Sequence, residues 1–160
     1  LQESRAVGRR WLVRLAKPFS ATQIRQYGIF ELEFISASPF AESTYLSEVN
    51  YTQNRFLFNN QGTAPINMRA QRDTSIRITG ATNGLSITNL TNGSTWSYTG
   101  TSDANGTIEL RGVSSTKNGN SIFGATNMEV IDFEPGPNDF IIYGTTGPVS
   151  VNIETRFYYL

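Results

Sequence analysis

The sequence predicts an all-β chain built as an antiparallel sandwich, and three observations carry that prediction. Short apolar segments alternate in period two and recur about every ten residues, the spacing of an antiparallel sandwich or barrel. The segments are separated by Asn, Gly and Pro corners, which supply the φ > 0 and fixed-φ positions of tight turns. Apolar content is low at 38% while aromatic content is high at 12%, so a few large side chains must fill the core. That composition suits sheets better than a helix bundle.

Taken in order, Trp11 to Leu15 alternates with Trp11, Val13 and Leu15 on one face, and Lys17-Pro18 ends it. Ser20 is placed as an N-cap with Gln23 at the third helical position, so a short helix is expected through Tyr27, closed by Gly28. Residues 29–35 read I-F-E-L-E-F-I, with Phe30, Leu32 and Phe34 expected to face inward and Glu31 and Glu33 outward. Ser36 to Glu42 interrupts this pattern with small polar residues around Pro39, and a domain boundary is placed there. Residues 1–42 then belong to one unit, with strands and a short helix, and residues 43–160 to a second.

The second unit is entered through residues 55–68, R-F-L-F-N-N-Q-G-T-A-P-I-N-M, around which the chain is organised. An apolar run at Phe56, Leu57 and Phe58 breaks at Asn59–Gly62 and resumes after Pro65 with Ile66 and Met68. A strand stops, turns and restarts at a sheet edge. Strands follow at 75–79, 85–90, 95–99, 107–110, 128–133, 140–143 and 149–154, the last running on into Arg156–Tyr159. Asn105-Gly106 is expected to form a type I′ hairpin turn, and residues 117–121 and 135–139 to form further turns. Nothing after residue 43 has helical periodicity, and no internal repeat is present.

Charge and chemistry narrow the function. Net charge is zero, but residues 1–26 hold six basic groups against Glu3 alone, a local +5 balanced by −5 elsewhere. Basic residues there can contact nucleic acid or an acidic neighbour, or lie on the solvent side of strands and against a partner subunit; the second is the expectation, without nucleic acid. There is no Cys and no His, which removes thiol chemistry, the usual general base and the commonest metal ligand. No apolar run reaches the length of a membrane span. No phosphate loop, dinucleotide fingerprint or nucleophile elbow is present, so neither an enzyme nor a cofactor is expected.

Trp96 and Tyr98 lie on one face of a strand and are candidates for a sugar-stacking platform; the alternative is that both fill the core. Scattered carboxylates (Glu109, Glu129, Asp132, Glu134, Asp139) could supply a glycosidase pair only if two of them meet in space. Asp132, Glu134 and Asp139 fall around a Pro-Gly turn and could hold Ca²⁺ loosely, though without the spacing of a defined loop. Sequons at Asn50, Asn89, Asn92 and Asn105 are what an Asn- and Thr-rich chain shows by chance.

Four stretches together resemble a known family. They are residues 31–41 (E-L-E-F-I-S-A-S-P-F-A), 56–68, 132–144 (D-F-E-P-G-P-N-D-F-I-I-Y-G), and the closing V-x-V-x-I-x-x-x-F-Y-Y of 149–159. Their order is similar to that of the distal tail proteins of long-tailed, non-contractile bacteriophages. In that family a Pro-aromatic step, here Ser38-Pro39-Phe40, leads into the last domain, and a Pro-Gly-x-Asn turn, here Pro135 to Asn138, feeds a penultimate strand. The resemblance covers about residues 9–160. It implies that residues 43–160 are a galectin-like sandwich, a lectin-type jelly roll, and that residues 1–42 are the C-terminal part of a ring-forming domain. The chain would then be a virion component joining the tail tube to the adsorption device, assembled in the host cytoplasm. Its partners would be a tail-tube protein, a tail-associated hub protein and receptor-binding proteins, within a homo-hexameric, head-to-tail ring. Arg9, Arg10, Trp11 and Arg14 are the candidate subunit contacts. Wall polysaccharide is the alternative partner, although the absence of His puts a galectin-type sugar site in doubt.

Overall fold

A computed structural model of the chain describes residues 7–18, 22–24, 26–71 and 73–160. The first strands are short: β1 (Arg9–Arg10), β2 (Val13–Leu15), β3 (Thr22–Ile24), β4 (Tyr27–Ile29), β5 (Phe34–Ser36) and β6 (Ala41–Ser43). The central ones are β7 (Ser47–Tyr51), β8 (Arg55–Asn60), β9 (Ile66–Asn67), β10 (Ser75–Asn89), β11 (Thr95–Ser97), β12 (Thr101–Ser102) and β13 (Thr107–Arg111). The last are β14 (Ser114–Lys117), β15 (Asn120–Ser121), β16 (Asp132–Phe133), β17 (Gly136–Thr155) and β18 (Tyr158–Tyr159). A single 3-10 turn, Phe123–Ala125, is the helical content among the described residues, and no helix there could cross a membrane. All strand pairings are antiparallel, so the fold is the all-β sandwich that the alternation predicts.

Two long strands hold it together. β10 and β17, of 15 and 20 residues, pair along most of their length, with register shifts between Gly80 and Ser86. On one side of the shift, residues 75–79 of β10 carry β13, β14 and β15, while the end of β17 carries β7. On the other side, β10 carries β11 and β12, and the start of β17 carries β8. One bent ladder therefore supplies both layers. Glycine makes the bend possible: at Gly144 (φ +81°) a Cβ would lie 2.2 Å from the Gly84 carbonyl oxygen, and at Gly80 (φ +146°) 2.6 Å from that of Pro148.

The inward positions of the two layers form one core. Ile76, Ile78, Ile108, Leu110, Val151 and Ile153 meet Phe56, Phe58, Leu85, Ile87, Phe140 and Ile142, closed by Ile66, Met68, Ile131, Phe133 and Phe157 from the connections. Phe133 is edge-on to Phe58 at 5.2 Å and lies 5.4 Å from Phe140, a favoured aromatic spacing. The 55–68 stretch folds as expected. β8 alternates strictly, with Phe56, Phe58 and Asn60 buried, and the Asn60 amide shapes the following turn by accepting from Gly62 N and donating to Ala64 O.

Four local expectations are corrected. The helix placed at 20–27 is a hairpin of β3 and β4, with Ser20 and Ala21 outside the described residues. One capping pattern cannot nucleate a helix that offers the core no apolar face, whereas Thr22 and Ile24 favour a strand. The inward face of 29–35 is solvent-facing: Phe30 is 56% exposed, and Leu32 and Phe34 are exposed too. β5 pairs with β2 in a two-stranded sheet of its own. The strand placed at 128–133 shrinks to β16, because Met128 takes φ +60°. The type I′ turn falls at Asn118 (φ +49°) and Gly119 (φ +80°) between β14 and β15. At Asn105-Gly106 the turn is instead closed by Asp103, whose carboxylate accepts from Asn105 N and whose carbonyl accepts from Gly106 N.

Candidate functional site

The chain's beginning and end meet in one small sheet, ordered β1-β6-β18. Arg10 donates through Nε and Nη2 to Glu42 Oε1 at 2.7 and 2.6 Å. The Arg9 guanidinium lies 3.9 Å from the centre of the Tyr159 ring, a cation–π contact. Arg156 completes the junction, donating through Nη1 to Ser43 O at 2.8 Å and through Nε to Asp73 at 3.0 Å. A cleft of about 280 Å³ opens beside it, lined among others by Leu12, Phe40, Glu42, Asp73 and Tyr158. Tyr158 is buried there. Loss of water around its phenol, followed by the negative Glu42 and Asp73, pushes its pKa up to about 12.

Each candidate subunit contact has a definite place. Arg9 and Arg10 are engaged within the chain through Tyr159 and Glu42. Trp11 is half-buried between β1 and β2, and Arg14 is exposed on β2 opposite Ile35 of β5. The acidic neighbour for the basic start is therefore partly internal, supplied by Glu42 and by Glu33, whose carboxylate is 2.8 Å from Lys17 Nζ.

Trp96 and Tyr98 are core residues, 1% and 8% exposed. Their rings stack at 6.5 Å and the indole Nε1–H donates to Ser115 Oγ at 3.0 Å. A stacking platform needs an open ring face, and neither residue offers one. Three of the five carboxylates sit in ion pairs: Glu109 with Arg77 and Arg111, Glu129 with Arg69, and Asp139 with Arg55. Asp132 is half-buried, its Oδ1 has no hydrogen-bond partner, and burial raises its pKa. No group of three metal-ligating side chains forms among the described residues, so Asp132, Glu134 and Asp139 do not converge as a cage.

Two amides, read in the sequence as a sequon (Asn89) and as the end of the Pro-Gly-x-Asn turn (Asn138), fix the short link from β16 to β17, and residues 136–139, expected as part of a turn, are already strand. Asn138 is fully buried: its Oδ1 accepts from Glu134 N and Asn89 Nδ2, and its Nδ2 donates to Glu134 O and Gly136 O. Asn89, also fully buried, donates to Asp132 O as well. The signal was present in the spacing. Asn138 precedes Phe140 and Ile142 at inward positions, and Asn89 follows Leu85 and Ile87 in the same way.

The architecture is thus an antiparallel β-sandwich preceded by short paired strands. No family model matches the chain, and no curated protein matches it. Among solved structures, its fold is similar to that of the SPP1 Dit (gp 19.1) protein, described as a paradigm of the hub adsorption apparatus in phages infecting Gram-positive bacteria. The TM-score is 0.68 at 14% identity, over 96% of this chain and 63% of that one. At that identity the likeness is one of fold, and this chain spans less than two thirds of the other's length. It is the kind of protein to which the motifs at 38–40 and 135–138 point.

Proposed function

We propose that the chain is a structural component of a phage tail tip, joining the tail tube to the device that adsorbs to the host. One observation carries this reading: the likeness of fold to a phage hub protein along 96% of the chain. The pairing of three of the five candidate carboxylates with arginine supports a structural role and not a hydrolytic one. On this reading two units divide near residue 43, and β6 is the seam at which β1 and β18 join them.

The arm before the seam bears exposed Leu12, Leu15, Phe30, Leu32, Phe34 and Ile35. Apolar area of that kind on a two-stranded sheet is stabilised by a covering layer, and a neighbouring subunit in a six-membered ring would supply it, with Trp11 and Arg14 at the contact. Its partners would be tail-tube, hub and receptor-binding proteins, and its place the virion. Antibody raised against this chain and imaged on intact virions by negative-stain microscopy tests the reading. Label at the distal tip of the tail is expected, and virions labelled elsewhere or not at all would refute it.

A further inference from the structure

The outer face of the layer formed by β8, β17, β10 and β11 combines exposed apolar side chains with a two-bond ion pair. Register places Leu57 opposite Asp139, Ile141 between Arg55 on one side and Thr88 on the other, and Tyr143 opposite Ser86. Leu57 is 65% exposed and Tyr143 57%, large apolar groups on a sheet whose inner face is fully packed. Between them Arg55 holds Asp139 through two parallel bonds, Nε to Oδ1 at 3.1 Å and Nη2 to Oδ2 at 2.6 Å. A cleft of about 340 Å³ is lined by Gln53, Arg55, Phe56, Leu57 and Asp139. That is near the lower end of the roughly 300–1,000 Å³ typical of small-ligand sites.

We propose that this face binds a neutral oligosaccharide. Complementarity of charge and hydrogen bonding selects the occupant. The ion pair is closed on itself and carries no net charge, so it offers little to an anionic or cationic ligand. The guanidinium has five N–H groups, of which two are spent on Asp139, and the carboxylate oxygens keep free lone pairs. Donor and acceptor therefore stand side by side, the pattern that vicinal hydroxyls match because each both donates and accepts. The Tyr143 ring and Leu57 offer apolar surface for the C–H face of a pyranose. The same hydrogen bond that raises the Arg55 pKa lowers that of Asp139, keeping both ionised across the neutral range. Addition of a partner strand to the β8 edge fits less well, since the Tyr51 hydroxyl already donates to Leu57 O at 3.0 Å. The site does not depend on the tail-tip reading, and either can fail alone.

The test is ¹⁵N chemical-shift mapping of the whole 160-residue chain with cellotriose, chitotriose and β-1,4-galactotriose, and with trigalacturonate and the glucosamine trimer as charged controls. Expected are shifts confined to residues 53–57, 86–88 and 139–143, with a dissociation constant of about 1 mM for at least one neutral probe. The Trp96 indole signal should stay still. Arg55→Ala and Tyr143→Ala, both at exposed positions, should each weaken binding about tenfold without lowering the melting temperature by more than about 2 °C. No shift with any of the three neutral probes overturns the proposal. So do shifts mapping elsewhere, charged trimers bound as tightly as neutral ones, or both variants binding like the parent.

Discussion

Replacing Asn138 by Ala should cost this protein more than any other single polar deletion in the sandwich. Its amide makes four hydrogen bonds and uses its full capacity, two donated and two accepted, at a site without solvent exposure. Truncation leaves Glu134 N, Glu134 O and Gly136 O without their partner and removes one of the two acceptors of the Asn89 amide. A net hydrogen bond is worth about 1 kcal/mol, and a buried group left unpaired costs about 1–3 kcal/mol. Water entering the vacated space recovers part of that, so the expected loss is about 3–5 kcal/mol. For a chain of this size that corresponds to a fall of about 8–15 °C in melting temperature. Asn138→Asp should do no better near neutral pH, since it sets an oxygen against two carbonyls. Urea unfolding followed by intrinsic fluorescence measures the loss, with the exposed neighbour Asn59→Ala as control, expected within about 0.5 kcal/mol of the parent. A loss below about 1 kcal/mol for Asn138→Ala would refute the clamp.

Four further outcomes follow from the same geometry. Trp96→Phe should lose about 1–2 kcal/mol in the same assay, because it leaves the buried Ser115 hydroxyl without its donor. Arg10→Ala strands the Glu42 carboxylate, which is 10% exposed, and should cost about 1–3 kcal/mol in urea unfolding, discounted because Arg10 itself is 38% exposed. Stability should fall between pH 10 and about 12, where the unfolded Tyr158 phenol has lost its proton and the folded one has not. That contribution, about 1–3 kcal/mol, is complete below pH 10 and should vanish in Tyr158→Phe, as an alkaline series of unfolding curves would show. Gly144→Ala should cost more than about 2 kcal/mol, since its Cβ would meet the Gly84 backbone and its φ is +81°; circular dichroism melts would register it.

What could be read from the sequence was whatever depends on near neighbours. Period-two alternation exposed the buried faces of β8 and β13, and Asn-Gly and Pro-Gly placed most corners. Length and direction were harder. Residues 75–79 and 85–90 read as two strands with a turn between them, yet they are one bent strand, because a glycine inside an apolar pattern marks a bulge as readily as a reversal. The same ambiguity divided β17 at Gly144. Trp96 and Tyr98 were legible as a pair on one face, but which side of the sheet that face meets is decided by Ser115 and the opposite layer. Arg9 and Arg10 were legible as basic and not as engaged, since Tyr159 lies 150 residues away along the chain. The exposed pair on β8 and β17 escaped notice because Arg55 and Asp139 are brought together only by strand register.

That register gives β17 two tasks at once. Its even-numbered residues Asn138, Phe140 and Ile142 build the core, while Asp139, Ile141 and Tyr143 form the outer face, and a slip of one residue would exchange the two sets. Asn138 guards against the slip at the strand's start by tying it to the 132–136 turn, and Gly144 does so at the bend by admitting the Gly84 backbone. Beyond the bend β17 runs to Thr155, and Arg156 and β18 then carry the chain to the junction with Arg9 and Arg10. A change at Asn138 should disturb Tyr143 on the surface as well as Phe140 in the core, which separates a register clamp from a merely local turn.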